Sequence, residues 1–302
     1  MAWRDPMAPP STVELRHADD FAHVKLMGAE LVGLVMGGRE LLWAGDARFW
    51  AQSSPLLFPV VGRLREGVAR FGAVATSMPL HGFASSCRFE AVDRSPESVT
   101  LLLQSDDFTR ALYPFDFELV VEYRIGPGGL AVELWLRNTA AQPMPWSMGL
   151  HPGFRWPWAG EGPLGHSVIF ANDESPLVPV ITRQGLFTRQ QRQVPLVGRQ
   201  LRLDPGLFDQ EALCFLNARS RTLGLQAPDG SCIEIESQGF SHWALWSRPG
   251  APFLCIESWT GHGDMQDWTG EFADRPFTRI LAPGASTRLS QRIRYRAAPA
   301  GP

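Results

Sequence analysis

Between Phe117 and Arg137 the chain alternates apolar and polar residues on both sides of a glycine-rich turn. Leu119, Val121, Tyr123 and Ile125 fall on one face, with Glu118, Val120, Glu122 and Arg124 on the other. After Gly126-Pro127-Gly128-Gly129, the residues Val132, Leu134 and Leu136 alternate with Glu133, Trp135 and Arg137. A period of two belongs to a half-buried strand, so the segment is predicted to be an antiparallel β-hairpin. GPGGLA (126–131) also matches a dinucleotide-binding glycine fingerprint, but that fingerprint needs a strand running into a helix. Here a second strand follows.

The rest of the chain repeats the pattern. Hairpins are predicted at 222–236, turning at Ala227-Pro228-Asp229-Gly230, and at 242–257, turning at Arg248-Pro249-Gly250. RLSQRIRYR (288–296) alternates again and is expected to send its arginines outward. Helical periodicity is weak everywhere, and the best candidate is a short piece between 264 and 280. With 29 glycines and 25 prolines in 302 residues, short strands and frequent turns predict an all-β fold, a large antiparallel β-sandwich or a barrel. No linker, composition break or internal repeat divides the chain. One domain over 1–302 is expected, with unstructured tails at about 1–12 and 297–302.

Several chemistries are excluded early. Of 28 basic residues, Lys25 alone is a lysine. Its setting, HVKLMGAE, is no phosphate loop, and Schiff-base chemistry would rest on this one residue. There is neither a G-x-S-x-G elbow nor an H-E-x-x-H helix. The net charge is −3 with both signs interspersed, which leaves no footprint for nucleic acid or for an anionic membrane. The longest apolar run, around 31–36, is too short to span a bilayer, and MAWRDPMAPPST has no apolar stretch of signal-peptide length. Cys87, Cys214, Cys232 and Cys255 are scattered singly. They read as reduced thiols of a cytoplasmic chain, not as a disulfide frame or a zinc site. His262 and Asp264 offer two metal ligands without a third, so no metal is expected.

Acid–base chemistry or plain binding remains. His151 lies in PWSMGLHPGFRWPW (145–158) among Trp146, Phe154, Trp156 and Trp158, and His81 lies in MPLHGFASSCRF (78–89). A histidine at a strand end among aromatics is partly desolvated, which keeps its pKa useful for proton transfer; the alternative is a hydrogen-bonded core or turn histidine. Glu257 sits in APFLCIESW (251–259), and alternation puts it on the face of Phe253 and Cys255. It is either a buried carboxyl with a raised pKa, competent as a general base, or a strand-end acid paired to an arginine. Arg63 in LFPVVGRL (57–64) and Asp209 in LFDQEALCF (207–215) each follow an apolar run, and surface salt bridging explains most residues of that kind.

Taken in order, LFPVVGRL, LHGFA (80–84), YPFDFEL (113–119), SMGLHPGF (147–154), LFDQEALCF and RPGAPFLCIESW (248–259) resemble the galactose mutarotase-like superfamily. They resemble its aldose 1-epimerases, and in particular the short bacterial branch associated with sugar-utilisation operons. The likeness runs from about residue 25 to 295. It implies a large β-sandwich with a sugar cleft and mutarotation of an aldose without metal or cofactor. It implies further that His151 is the general acid and Glu257 the general base, that Arg63 and His81 contact sugar hydroxyls, and that Asp209 binds hydroxyls too. Two departures stand out. The family's usual E-P-W reads Glu257-Ser258-Trp259 here, and its G-A-H-P reads Gly149-Leu150-His151-Pro152. Neither removes a group with acid–base chemistry.

Those residues suit ring opening, in which a proton leaves the anomeric O1 hydroxyl while the ring oxygen O5 receives one. Two other readings stay open: epimerisation of a phosphorylated or sulfonated hexose, and a non-catalytic carbohydrate-binding or regulatory module. Having both His151 and Glu257 argues against the second, since a mere binder needs no opposed acid and base. The expected partner is a small sugar, with no nucleic acid and no membrane.

Overall fold

The architecture follows from the alternating strands. In a computed structural model, which describes residues 11–158 and 162–299, two antiparallel sheets carry most of the fold. The larger has ten strands. Its centre is the hairpin Phe117–Gly126 with Gly129–Asn138, paired from Phe117↔Asn138 to Gly126↔Gly129. The strand Ser286–Arg296 lies beside it, followed by the hairpin Thr222–Gln226 with Cys232–Gln238. The smaller sheet has six strands, with Phe253–Trp259 between His242–Trp246 on one side and both Gly149–Leu150 and Gly153–Arg155 on the other. A four-stranded sheet formed by residues 12–40 packs alongside.

Burial tracks the period of two. Leu119, Val121, Tyr123 and Ile125 are buried, as are Val132, Leu134 and Leu136 opposite them. They share one apolar cluster with Leu254, Ile256 and Leu150 of the smaller sheet, so the two sheets close on a common core. Each such side chain contributes about 1.5–3 kcal/mol by leaving water. Arg288, Arg292 and Arg296 of the last strand are exposed, as the alternation requires. The fold is therefore the all-β antiparallel sandwich expected from the sequence.

Two local expectations fail. The stretch 264–280 contains one short 3-10 helix, Phe272–Asp274, and is otherwise made of turns and irregular chain that end in the strand Arg279–Leu281. Its polar groups are drawn into tertiary bonds: Gln266 N–H donates to Phe187 O at 2.8 Å, and Arg279–Leu281 pairs with Met144–Trp146. Gly270 and Pro276 interrupt any helix there. An α-helix forms instead at Asp107–Leu112. It is started by a capping box in which Asp106 Oδ1 accepts from Thr109 N–H and Thr109 Oγ1 accepts from Asp106 N–H, each at 2.8 Å. Of the expected tails, residues 1–10 and 300–302 lie outside the described residues. Thr12 already belongs to the first strand, Thr12–His17, while 297–299 carry no regular structure. Among the described residues no helix is long and apolar enough to cross a membrane.

Candidate functional site

The strand Phe253–Trp259 is buried along its whole length. Alternation sends Leu254 and Ile256 into the main core, and Phe253, Cys255, Glu257 and Trp259 to the opposite face. Over that face lies a cleft of about 320 Å³, within the usual ~300–1,000 Å³ of small-molecule sites. Glu257 is on its floor, 1 % exposed. The core-facing Ser258 accepts a hydrogen bond from Gln291 Nε2 at 3.0 Å, tying the floor strand to the larger sheet.

His151 is delivered by the chain between Gly149–Leu150 and Gly153–Arg155, both of which pair with the Glu257 strand. Its Nε2 stands 3.2 Å from Glu257 Oε2, and the same oxygen accepts from Trp259 Nε1 at 3.0 Å. The His151 ring is walled by Trp50, Trp246 and His81, with ring centroids at 4.9, 5.8 and 5.6 Å. Among the described residues its Nδ1 has no hydrogen-bond partner. Burial raises the Glu257 carboxyl well above the usual carboxylate range, with the Trp259 N–H working against it. Burial, helped by nearby His81, holds His151 well below the ordinary histidine value. Each charged form is disfavoured on its own. The stable arrangement is a pair that carries one proton between Oε2 and Nε2.

His81 and Arg63 form the adjoining wall. Gly62 N–H donates to His81 Nδ1 at 3.0 Å, and His81 N–H donates to Gly62 O, also at 3.0 Å. Accepting at Nδ1 fixes the tautomer with the proton on Nε2. Burial, and then the Arg63 charge, depress the His81 pKa to about 4, so the ring is neutral at pH 7. The Arg63 backbone is braced from behind. Asp264 N–H donates to Arg63 O at 2.8 Å, and Asp264 Oδ2 accepts from Arg65 N–H at 2.8 Å. Buried Arg275 in turn donates from Nε to Asp264 Oδ1 and from Nη2 to His262 O. At Gly62 (φ +79°) a Cβ would stand 2.4 Å from Gly263 N, so only glycine lets these segments meet.

Arg63, His81, His151 and Glu257 are thus brought to one cleft. Asp209 is not. It is exposed at the end of the turn Pro205–Phe208 and lines a separate depression with Arg192 and Asp204. Glu211, two residues on, presents the acid of that segment to the cleft, in a left-handed conformation (φ +69°). Sequence reasoning also missed Trp50, Arg183, Trp246 and Arg248, which line the same cleft. Trp246 carried a legible signal, being the end of the strand that pairs with Glu257's own; the arginines sit in turns and carried none.

His151, Cys255 and Glu257 each offer a ligand atom within 4.8 Å of one another. A metal would take the cysteine as thiolate, and burial together with the Glu257 charge raises the Cys255 pKa well above the usual range. The donor set therefore fits a metal poorly. Lys25 stands away from the cleft, on the strand Asp20–Lys25, with its Nζ 3.7 Å from Glu30.

Several buried histidines give the fold an acid sensitivity. Burial lowers His242 to about 3 and His262 to about 4, alongside His81 at about 4 and His151. The unfolded chain takes up these protons below about pH 6.5, whereas the folded chain resists them well below that, to about pH 4 at His81 and His262 and about pH 3 at His242. Their contribution to stability is complete above pH 6.5 and is lost as pH falls through that window. Glu257 acts in the opposite sense, one group against four. Denaturant unfolding should show stability falling by a few kcal/mol from pH 7 to pH 5, with partly buried His81 discounted for solvent screening. A flat profile over that range would mean these rings are hydrated or paired in solution.

A sandwich of this topology with a cleft over its smaller sheet is a galactose mutarotase-like fold. Over 94 % of this chain and 100 % of the other, it superposes on a galactose mutarotase-like protein of Lactobacillus casei with a TM-score of 0.88 at 25 % identity. A galactose mutarotase related enzyme of Lactobacillus acidophilus shares the fold at 23 % identity, with a TM-score of 0.88 over 95 % and 98 % of the two chains. LacX of Lactococcus lactis, in plasmid and chromosomal forms, is 28 % identical over 295 residues, covering 93 % of this chain and 98 % of LacX. The aldose 1-epimerase family model matches residues 11–294. The chain belongs to the aldose 1-epimerase family.

Proposed function

We propose that the protein is an aldose 1-epimerase, a mutarotase that interconverts the α and β anomers of a hexose using Glu257 and His151. The observation that supports this reading is the 3.2 Å contact between these two side chains on the floor of the cleft. O1 and O5 of a pyranose share one carbon, so the groups that serve them must themselves be neighbours. Glu257 takes the proton from the O1 hydroxyl, and the freed electron pair forms the C1=O bond. The C1–O5 bond breaks toward O5, which receives the proton of His151. Rotation about C1–C2 turns the other aldehyde face to O5, and the same transfers run backward to close the second anomer. The pair ends with the one proton it began with. A hydrogen bond from Trp259 to Glu257 favours the carboxylate, and a sugar hydroxyl on Oε1 adds to it, drawing the shared proton to His151. One acid–base group typically contributes ~10²–10⁴ in rate.

Polarimetry of freshly dissolved α-anomers tests the reading: mutarotation should be accelerated for at least one aldose of a neutral and anionic panel. No acceleration of any of them would remove it. Arg63 would orient the substrate by charge-assisted bonds worth about 1.5–3 kcal/mol. Arg63→Ala should therefore raise KM by about tenfold or more, and an unchanged KM and kcat would show that the guanidinium does not touch substrate.

A further inference from the structure

The mouth of the cleft carries a charge imbalance that ring opening does not require. Arg63, Arg183 and Arg248 line it from three separate segments, and all three are exposed. Among the described residues none of them has a carboxylate in ion-pair range, although twelve other arginines of this chain do. Among the described residues, the acids on the cleft wall are Glu211 and Glu257. Glu257 is already engaged with His151, whose Nε2 stands 3.2 Å from its Oε2. Three guanidiniums against Glu211 leave an excess of positive charge at this mouth, on a chain whose overall net charge is −3.

The turn that carries Arg183 also packs against Arg63. Gly185 N–H donates to Thr182 O at 2.8 Å, closing the turn that holds Arg183. That turn lies against Arg63: a Cβ at position 185, where φ is +78°, would stand 3.5 Å from Arg63 Nε. Like charges drawn to one edge of a concave, partly apolar cleft repel each other and focus a positive potential. An oxyanion settled between them removes the repulsion and gains charge-assisted, fork-shaped hydrogen bonds.

We propose that the substrate is an anionic aldose whose phosphate, sulfonate or carboxylate is carried at C6, the exocyclic position on the ring carbon that flanks O5 on the side away from O1. Arg63, Arg183 and Arg248 hold the oxyanion while C1 rests on His151 and Glu257. This deepens the epimerase reading and rests on it for turnover, though not for binding.

The test compares kcat/KM for a neutral hexose, its 6-phosphate, its 6-sulfonate and the matching hexuronate. Wild type and the double variant Arg183→Gln/Arg248→Gln are measured at low and high salt. At least one anionic sugar should be preferred by about tenfold or more, equivalent to about 1.4 kcal/mol. The preference should shrink with added salt, and the double variant should lower the anionic-to-neutral ratio by a similar factor. The three anionic arms separate the tetrahedral oxyanions from the planar one. A neutral hexose turned over as well as every anionic one, or a preference that survives the double variant, overturns the proposal and leaves the epimerase reading standing. Calorimetric binding of the 6-phosphate, lost in the double variant, would uphold the anion site even if no sugar were turned over. Absence of both binding and turnover overturns both.

Discussion

Glu257→Gln should lower the rate of anomer interconversion at least about a hundredfold while leaving the protein folded. The amide has the shape of the carboxyl it replaces, and its oxygen still accepts from Trp259 Nε1, which now stands 3.0 Å from Glu257 Oε2. What it loses is the ability to take and return a proton, and general acid–base catalysis of this kind is worth ~10²–10⁴. Stability should not fall with it. Glu257 is 1 % exposed, and burial holds its proton well above the usual carboxylate range. A permanently neutral side chain therefore costs little there, and it removes the loss of stability that ionisation of Glu257 brings as pH rises. Near-wild-type turnover in a folded Glu257→Gln protein would place the base elsewhere, with Glu211 the next carboxylate on the cleft wall.

The second large effect is on stability. Asp264 and Arg275 are 3 % and 5 % exposed and form a buried ion pair behind the Arg63 loop. Arg275→Met leaves the Asp264 carboxylate buried without its counter-charge, a change that typically costs ~3–5 kcal/mol. At ~2–4 °C per kcal/mol, Tm should fall by roughly 6–20 °C. Adding Asp264→Asn should recover a large part of the loss: the stranded charge disappears, while the amide oxygen can still accept from Arg65 N–H, now bonded to Asp264 Oδ2 at 2.8 Å. A Tm within two or three degrees of wild type for Arg275→Met alone would mean that water reaches this pair. Since Asp264 N–H also holds Arg63 O, the single variant should bind substrate more weakly at temperatures where it remains folded.

Much of this was readable from residue order. The period of two at 117–137 specified a hairpin because each face had one destination, core or solvent, and a slip of one residue would have exchanged them. The same reasoning put Glu257 on the face of Phe253 and Cys255, which is the cleft face, and the aromatic setting of His151 marked a desolvated ring. The helix Asp107–Leu112 escaped because six residues hold less than two turns of periodicity; its signal was the Asp106/Thr109 capping box. The expected helix near 264–280 gave way to the Asp264–Arg275 pair and to cross-chain backbone bonds, which no local pattern announces. Asp209 and Glu211 differ by two positions in an irregular turn, where neither period of two nor of 3.6 says which acid faces inward. Arg183 and Arg248 are turn arginines like many others, and only the tertiary convergence of their turns on Arg63 sets them apart.

Exchange NMR on an aldose already at anomeric equilibrium reaches the central claim most directly, because it sees the opening and closing of the ring without any net reaction. With wild-type protein present at a small fraction of the sugar, cross-peaks should connect the α and β anomeric protons, and His151→Ala should abolish them. Cross-peaks undiminished by His151→Ala, or none from any neutral or anionic aldose with the wild type, would contradict the account.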